Sequence, residues 1–416
     1  MVTNSLPRSE PEEPNLVTQQ FNPFTPEVLA NPYPMYKALR QSAPVFFSDF
    51  MESWVLTRYQ DVDFVLSDSR FSADRRQGRT RFSEMLAQQE ADFGPFGRTQ
   101  TMLTSDPPQH TRLRRLVSKA FTPRAVENLR PRIQEIVDYL LNEAEERGKF
   151  DLVTALAYPL PVIVIAEMLG IPPEDREKFK HWSDAVVETL GGPFTPPDVM
   201  ERARNSITEL ADYLGHHIEE RRKAPREDLI SGLVQAEEQG QVLSEDEIFA
   251  TCILLLIAGN ETTTHLIDNS VYALLQNPAQ IDILREDPSL MAPAVEELLR
   301  YIGPVQATGR VAMEPLEVAG HAIGEKQLVF TLLGAANHDP EKYPEPDRLD
   351  VRRNPTDHLA FGDGIHFCIG APLARAEAQI AIGTLVRRFP KLSLLDEPSW
   401  GGTFIIRGVK SLMLSA

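Results

Sequence analysis

One long apolar segment constrains the fold of this chain more than any other feature. Ser244 and Glu247 form a capping-box pattern that starts a helix, and Asn277 followed by Pro278 stops it. At 1.5 Å per residue this helix spans roughly 50 Å, about the width of a whole domain. Its most apolar run, at 253–258, is far shorter than the ~20 residues that a membrane span requires. The segment therefore predicts a helix that runs through the core of a helical domain.

The remaining pattern predicts a mainly α fold with small β-sheets (α+β) in one domain, residues 25–416. Apolar residues at helical spacing dominate the middle of the chain, and a last helix is expected near 372–389. Residues 1–24 are polar and proline-containing, and we expect this tail to be disordered. Residues 71–105 and 338–358 show little periodicity and predict irregular loops. Alternating apolar residues predict strands in 45–59, 306–313, 326–333 and 403–414.

Composition excludes several classes of protein. The 416 residues include 42 basic and 60 acidic side chains, and a net charge of -18 argues against a general nucleic-acid binder. Two cysteines, Cys252 and Cys368, cannot form a disulfide framework and fit a reducing compartment. No secretory signal is visible at the N-terminus. We expect a cytoplasmic monomer without a membrane anchor.

The segment with the clearest chemistry is FGDGIHFCIG, at 361–370. Cys368 stands just before a helix that contains Pro372, and the positive helix end there favours a thiolate. No second Cys or His pair has the spacing of a zinc site. A single thiolate between glycines suits the axial ligand of a haem iron, because glycines let the flat ring approach the backbone. The alternative is a small buried cysteine with no ligand.

This segment resembles the haem-binding signature of the cytochrome P450 family, F-G-x-G-x-[H/R]-x-C-x-G, at every fixed position. Three further stretches between Asp106 and Phe361 resemble the same family in the same order. The resemblance covers nearly the whole chain beyond the N-terminal tail and is closest to the soluble bacterial type. It implies a single domain whose long central helix lies over haem b (iron protoporphyrin IX), with Cys368 as the iron ligand.

The second stretch is AGNETT, at 258–263, in the middle of the long helix. A buried carboxylate on such an apolar helix is costly unless it has a partner or a function. The resemblance implies that Glu261 and Thr262 deliver protons to bound dioxygen.

The third stretch is EELLR, which places Glu297 and Arg300 on one helix face. Alone, such a pair is usually a solvated surface contact. The resemblance implies a structural ion pair, completed by an arginine from the loop at 338–358, which we assign to Arg348 in PDRL.

The fourth stretch is DPPQHTRLRRLV, in which His110 and Arg114 share a helix face. The resemblance implies that both hold the haem propionates, together with Arg310 and His366. Without it, His110 reads as a surface residue. The neighbouring basic side chains predict a solvent-facing patch that could steer an acidic electron donor, or an ordinary solvated helix face: Arg112, Arg115 and Lys119.

The implied reaction inserts one atom of O2 into a C–H bond of an apolar small molecule of the terpenoid, steroid, fatty acid or macrolide class. Electrons would come from NAD(P)H through a separate ferredoxin and reductase. Two other functions stay open: a haem-thiolate enzyme that uses peroxide or catalyses dehydration or coupling, and a haem sensor without turnover. By analogy, the substrate pocket is expected at Phe93, Phe96, Leu255, Ala258, Val305, Gln306, Phe404 and Ile405.

Overall fold

Helices make up most of the structure, a computed structural model that describes residues 16–91, 93, 97, 99–120, 122–187, 189, 196–238 and 240–416. In chain order the helices are α1 (Leu16–Gln19), α2 (Pro26–Ala30), α3 (Tyr33–Ser42), α4 (Tyr59–Ser67), α5 (Arg81–Ala91), α6 (Gln109–Ala120), α7 (Pro123–Arg147), α8 (Pro159–Leu169), α9 (Arg176–Val187), α10 (Pro197–Lys223), α11 (Leu229–Gln235), α12 (Glu245–Gln276), α13 (Pro278–Glu286), α14 (Met291–Ile302), α15 (Leu333–Ala336) and α16 (Ala371–Arg388). The predicted mainly α class is confirmed.

Short strands form one five-stranded sheet and several smaller ones in the described part of the chain. The five-stranded sheet has the order β1-β2-β10-β7-β3, with β10 parallel to β2 and antiparallel to β7. It therefore joins strands from both ends of the sequence. The strands are β1 (Val45–Ser48), β2 (Ser53–Leu56), β3 (Phe71–Ser72), β4 (Lys149–Asp151), β5 (Glu237–Glu238), β6 (Gln241–Val242), β7 (Thr308–Ala312), β8 (Leu316–Val318), β9 (His321–Ile323), β10 (Leu328–Thr331), β11 (Ser393–Leu394), β12 (Ser399–Gly402), β13 (Arg407–Ser411) and β14 (Met413–Ser415).

Helix α12 runs through the largest hydrophobic core, as its sequence predicts. Both hydrogen bonds of the capping box between Ser244 and Glu247 are present, and Asn277 caps the other end. The helix packs against α8, α14 and α16, and its apolar side chains belong to the same buried cluster as theirs. In the described residues, no helix combines the length and hydrophobicity needed to cross a membrane.

Two segments differ from the sequence-based expectation. Residues 16–24, expected to be disordered, include α1, and Phe21 packs its buried ring edge-on against Phe46 at 5.4 Å between ring centres. The predicted irregular region 71–105 contains β3 and the eleven-residue helix α5. Phe82, Met85 and Leu86 of α5 do stand at helical spacing, but this short run lies in a region rich in charges and glycines, and the sequence analysis missed it.

A buried ion pair fixes α14 to the loop that follows α15. Glu297 accepts two hydrogen bonds from Arg300, at 2.7 and 3.0 Å, and both side chains are fully buried. The third member is Arg353, whose Nε lies 3.1 Å from Glu297. The assignment of this role to Arg348 is wrong: that side chain is exposed and pairs with Glu345 and Asp350. Both arginines lie in the same loop, and spacing alone did not distinguish them.

This arrangement predicts unequal effects of two neighbouring substitutions. Arg353→Gln should lower the free energy of unfolding by about 2 kcal/mol, because it removes a charge-assisted hydrogen bond to a buried carboxylate. Arg348→Gln, which removes only exposed ion pairs, should change it by less than about 1 kcal/mol. Urea unfolding followed by circular dichroism measures both values. Equal losses for the two variants would contradict the assignment.

Candidate functional site

The loop before α16 presents the sulfur of Cys368. The backbone N–H of Cys368 donates to the carbonyl of Phe361 at 3.0 Å, which closes the loop. Gly364 has a φ of +67°, and a Cβ there would lie 2.7 Å from the carbonyl oxygen of Leu66. A Cβ on Gly370 would lie 3.8 Å from the sulfur. Gly364 therefore allows both the turn and the close packing of this loop against the end of α4, whereas the distance at Gly370 is an ordinary van der Waals contact.

Burial controls the charge of this sulfur. Burial raises the pKa of the Cys368 thiol, and the backbone N–H groups of Gly370 and Ala371 and the charge of Arg114 oppose it only partly. The sequence predicted a thiolate stabilised by the start of the helix, but desolvation outweighs that effect. A thiolate here needs a directly bonded cation, since a coordinating metal deprotonates a thiol outright.

Four predicted cofactor ligands come together beside this loop. The rings of His110 and His366 lie 4.3 Å apart between centres, and Arg114 and Arg310 interact electrostatically with His366. They come from α6, β7 and the Cys368 loop, so three separate parts of the chain form one basic cluster. Arg75 approaches Arg310 as well, and sequence reasoning missed it because it lies in a segment predicted to be irregular.

The charges in this cluster are poorly balanced. Burial, followed by Arg310, His110 and Arg114, lowers the pKa of His366 to about 3. Burial and Arg75 lower the pKa of Arg310 to about 10, although Asp106 opposes the shift. Two arginines, Arg75 and Arg310, lie close enough that one lowers the pKa of the other, and such a pair indicates a place where an anion would bind favourably.

The residues present fit a haem. Nε2 of His110 is buried and has no hydrogen-bond partner among the described residues, so it can donate to an added carboxylate. The two propionates of a haem would supply the missing negative charge to the cluster. Within the described residues, no group of three or more His, Cys, Asp or Glu side chains could hold a metal ion. A single protein ligand is sufficient for a haem iron, because the four nitrogens of the haem ring also bind the iron.

Open space borders the middle of α12. Ala258 is exposed although its helix crosses the core, and a Cβ on Gly259 would meet nothing within 4 Å. Thr262 donates its hydroxyl to the carbonyl of Ala258 at 2.6 Å. Oε2 of Glu261 is buried without a hydrogen-bond partner in the described chain. The structure thus places the predicted acid and alcohol beside a space that the described residues leave open.

The other predicted pocket positions divide by exposure. Phe93, Val305 and Ile405 are half-buried, whereas Leu255 and Phe404 are buried. The ring of Phe404 packs against Phe330 at 5.5 Å between centres, within the hydrophobic cluster beneath the five-stranded sheet. Phe96 lies outside the described residues.

Gln306 was expected to be the polar side chain of the pocket, and the structure contradicts this. Its Nε2 donates to the carbonyl of Gly303 at 2.7 Å, and the side chain is 2% exposed. A Cβ on Gly334 would lie 2.4 Å from Oε1 of Gln306. The amide therefore ties a turn to α15, and the expected polar group is absent from that position of the pocket lining.

Sequence reasoning also missed a second buried network, which lies under the Cys368 loop. Glu296 accepts hydrogen bonds from Arg375 at 2.7 Å and lies 3.1 Å from Nε2 of His358. Burial raises the pKa of Glu296, but His358 and Arg375 outweigh it and lower the pKa to about 2. The guanidinium of Arg375 lies 4.6 Å from the ring centre of Phe361. This network links α14, α16 and the start of the loop.

One of the basic residues expected to form a solvent-facing patch is engaged elsewhere. Arg112 pairs with Glu247 of the capping box, so it fastens α6 to the start of α12. Arg115 is exposed, as predicted.

Known proteins resemble this chain over nearly its whole length. The family described as Cytochrome P450 matches residues 44–397. The chain is 43% identical to cytochrome P450 monooxygenase PikC of Streptomyces venezuelae, over 95% of this chain and 96% of that protein. The structure of the bacillaene polyketide synthase cytochrome P450 PksS of Bacillus subtilis 168 superposes with a TM-score of 0.87 at 39% identity, over 95% and 99% of the two chains. CYP109E1 of Bacillus megaterium in complex with testosterone gives 0.83 at 37% identity, over 92% and 99%.

The basic cluster yields a prediction for cofactor retention. Arg114→Gln should speed haem loss to excess apomyoglobin roughly 10- to 100-fold, because a buried charge-assisted hydrogen bond contributes about 1.5–3 kcal/mol. Arg115→Gln, one residue along the same helix and exposed, should leave the rate unchanged. A matching acceleration in both variants would show that Arg114 holds no part of the cofactor.

Proposed function

Because this chain belongs to the cytochrome P450 family and is a monooxygenase, we propose that it inserts one oxygen atom of O2 into a C–H bond of an apolar small molecule. The observation that carries the proposal is the half-buried sulfur of Cys368 beside a cluster that brings together Arg75, Arg114 and Arg310 with two histidines. That combination matches a ligand with one metal centre and two carboxylates. The same arrangement would be costly in a protein that bound nothing there.

Each group at the site has a proposed role in holding the cofactor. Cys368 would ligate the iron of haem b, which when bound supplies the oxygen chemistry, helped by electron donation from the thiolate. His110, Arg114, Arg310 and His366 would hold the propionates.

Glu261 and Thr262 are proposed to move protons to the reacting oxygen. Thr262 donates its hydroxyl hydrogen to the carbonyl of Ala258, so its oxygen can accept a hydrogen bond from a group in the open space. A threonine that bonds back to the preceding turn also loosens the helix locally. Oε2 of Glu261 has no hydrogen-bond partner among the described residues, so it is available to take up and release a proton.

The substrate is proposed to be a largely apolar molecule of steroid or polyketide size. Support comes from the apolar side chains at the half-open positions, Ala258, Val305 and Ile405. PksS is named for polyketide biosynthesis, and CYP109E1 was solved with testosterone. Electrons are proposed to come from NAD(P)H through a separate ferredoxin and reductase.

The proposal is tested with isotopically labelled dioxygen. Steroids, fatty acids, terpenoids and macrolides are first titrated into the haem-loaded protein, and an apolar ligand is expected to shift the Soret band. That ligand is then incubated with NADPH, a ferredoxin and its reductase, and we expect one labelled oxygen atom in the product. Spectral shifts with small charged ligands alone would refute the substrate class. Product formed only with added peroxide, or without the label, would refute the reaction.

A further inference from the structure

A histidine one turn beyond Glu261 continues the polar face of α12. Nε2 of His265 lies 3.8 Å from Oε1 of Glu261, and its Nδ1 lies 2.9 Å from Oδ2 of Asp268. The Asp268 side chain is fully buried, and the imidazole keeps 12% of its exposure. Three ionisable groups therefore follow one another along an otherwise apolar helix. Burying them is costly unless they act together.

The backbone of β13 holds this imidazole in place. A Cβ on Gly408 would lie 1.9 Å from Nδ1 of His265, so the ring occupies the volume that any other residue at 408 would fill. The contact keeps Nδ1 on Asp268 and leaves Nε2 facing Glu261. Histidine held in this way has a fixed tautomer and one nitrogen available for exchange.

The surrounding charges keep His265 protonated. Burial lowers the pKa of the imidazole, but Asp268 and then Glu261 outweigh it and raise the pKa of His265 to about 9. From β13, Arg407 also faces Asp268, and it limits the negative charge there. At neutral pH the ring is therefore a cation that lies between two acidic side chains. Burial raises the pKa of Asp268, and the imidazolium of His265 opposes that shift.

We propose that His265 is a positioning residue that pairs with Glu261 and resupplies it with protons, while Asp268 holds the imidazole. This inference rests on the proposed role of Glu261 in proton delivery. In each cycle the Nε2–H bond breaks and an O–H bond forms on Glu261. The neutral imidazole then regains a proton from water at the same nitrogen. The gap of 3.8 Å is longer than a direct hydrogen bond, so the transfer needs a side-chain rotation or one bridging water.

The pH dependence follows from the raised pKa of His265. The imidazolium is present below a pH of about 9 and is lost as the pH rises through that value. Proton supply to Glu261 should weaken over the same range. In His265→Gln, which cannot titrate, that step in the profile should be missing.

Two measurements on the haem-loaded protein test the proposal. NADPH-driven dioxygen consumption is measured without added substrate, using a ferredoxin and its reductase, between pH 6 and 10. His265→Gln and Glu261→Gln should each slow it roughly 10-fold or more, and the wild type should slow above about pH 9. The control is His216→Gln, which changes an exposed histidine on α10 and should behave as wild type.

The second measurement does not depend on turnover. In the ferrous carbon-monoxide form with labelled histidine, NMR should show one imidazole that titrates near 9 and disappears in His265→Gln. Asp268→Asn should lower that midpoint by about 1–3 pH units, as expected when an adjacent opposite charge is removed. This variant keeps the proposal testable if His265→Gln fails to fold.

The outcomes separate this inference from the proposed function. Wild-type dioxygen consumption in Glu261→Gln would overturn the role of Glu261 itself. Slow consumption in Glu261→Gln with unchanged consumption in His265→Gln would overturn the role of His265 alone. An imidazole that titrates near the ordinary value of about 6.5, or does not respond to Asp268→Asn, would also overturn it.

Discussion

The structure depends on where it places one sulfur. Cys368 stands at the start of α16 in a loop closed by its own backbone, and burial raises the pKa of its thiol. An isolated thiolate is therefore unfavourable there, although the nearby N–H groups and Arg114 partly offset the cost. Bonding to a metal cation removes this penalty. A thiol in this position is poorly suited to be a free nucleophile and fits the proposed role of a metal ligand.

The same balance of burial and charge recurs around the site. In the cluster of His110, Arg114, Arg310 and His366 the positive charge lies on the arginines, and Asp106 is the acid that opposes the lowered pKa of Arg310. By contrast, the pair Glu297–Arg300 and the pair Glu296–Arg375 are compensated by hydrogen bonds within the protein. The pair Glu296–Arg375 joins α14 to α16, and Glu297–Arg300 joins α14 to the loop that follows α15. Among the described residues, the four members of the basic cluster form no such ion pair, and the cluster fits the proposed role in cofactor binding.

Helix α12 combines two roles that have opposite requirements. Its apolar side chains pack in the core, yet Glu261, His265 and Asp268 form a polar face along it. A second buried acid, Glu377 of α16, hydrogen-bonds with Thr263, and burial raises the pKa of Glu377 to about 8. Polar groups buried along an apolar helix reduce the stability of the fold. The proposed proton transfer explains why the helix contains them.

Local signals in the sequence predicted the parts of the fold that depend on local chemistry. The capping box and Asn277 predicted both ends of α12, and Gly364 beside Cys368 has the positive φ that a glycine allows. Long-range contacts could not be read in the same way. Nothing in the spacing distinguished Arg353 from Arg348. The buried position of Gln306 depends on its packing against Gly334 of α15, a contact that exists only in the folded chain. The sequence analysis missed His265 because the contact that holds its imidazole comes from Gly408, which is far away in the sequence.

The most direct test of this account is the absorption spectrum of the dithionite-reduced protein under carbon monoxide. A thiolate ligand to the iron predicts a strongly red-shifted Soret band, which Cys368→Ala should abolish. Cys252→Ala should leave the band unchanged. Cys252 lies on α12 and is buried in the largest hydrophobic core, and burial raises the pKa of its thiol to about 12. A red-shifted band that survives in Cys368→Ala, or is lost in Cys252→Ala, would contradict the account.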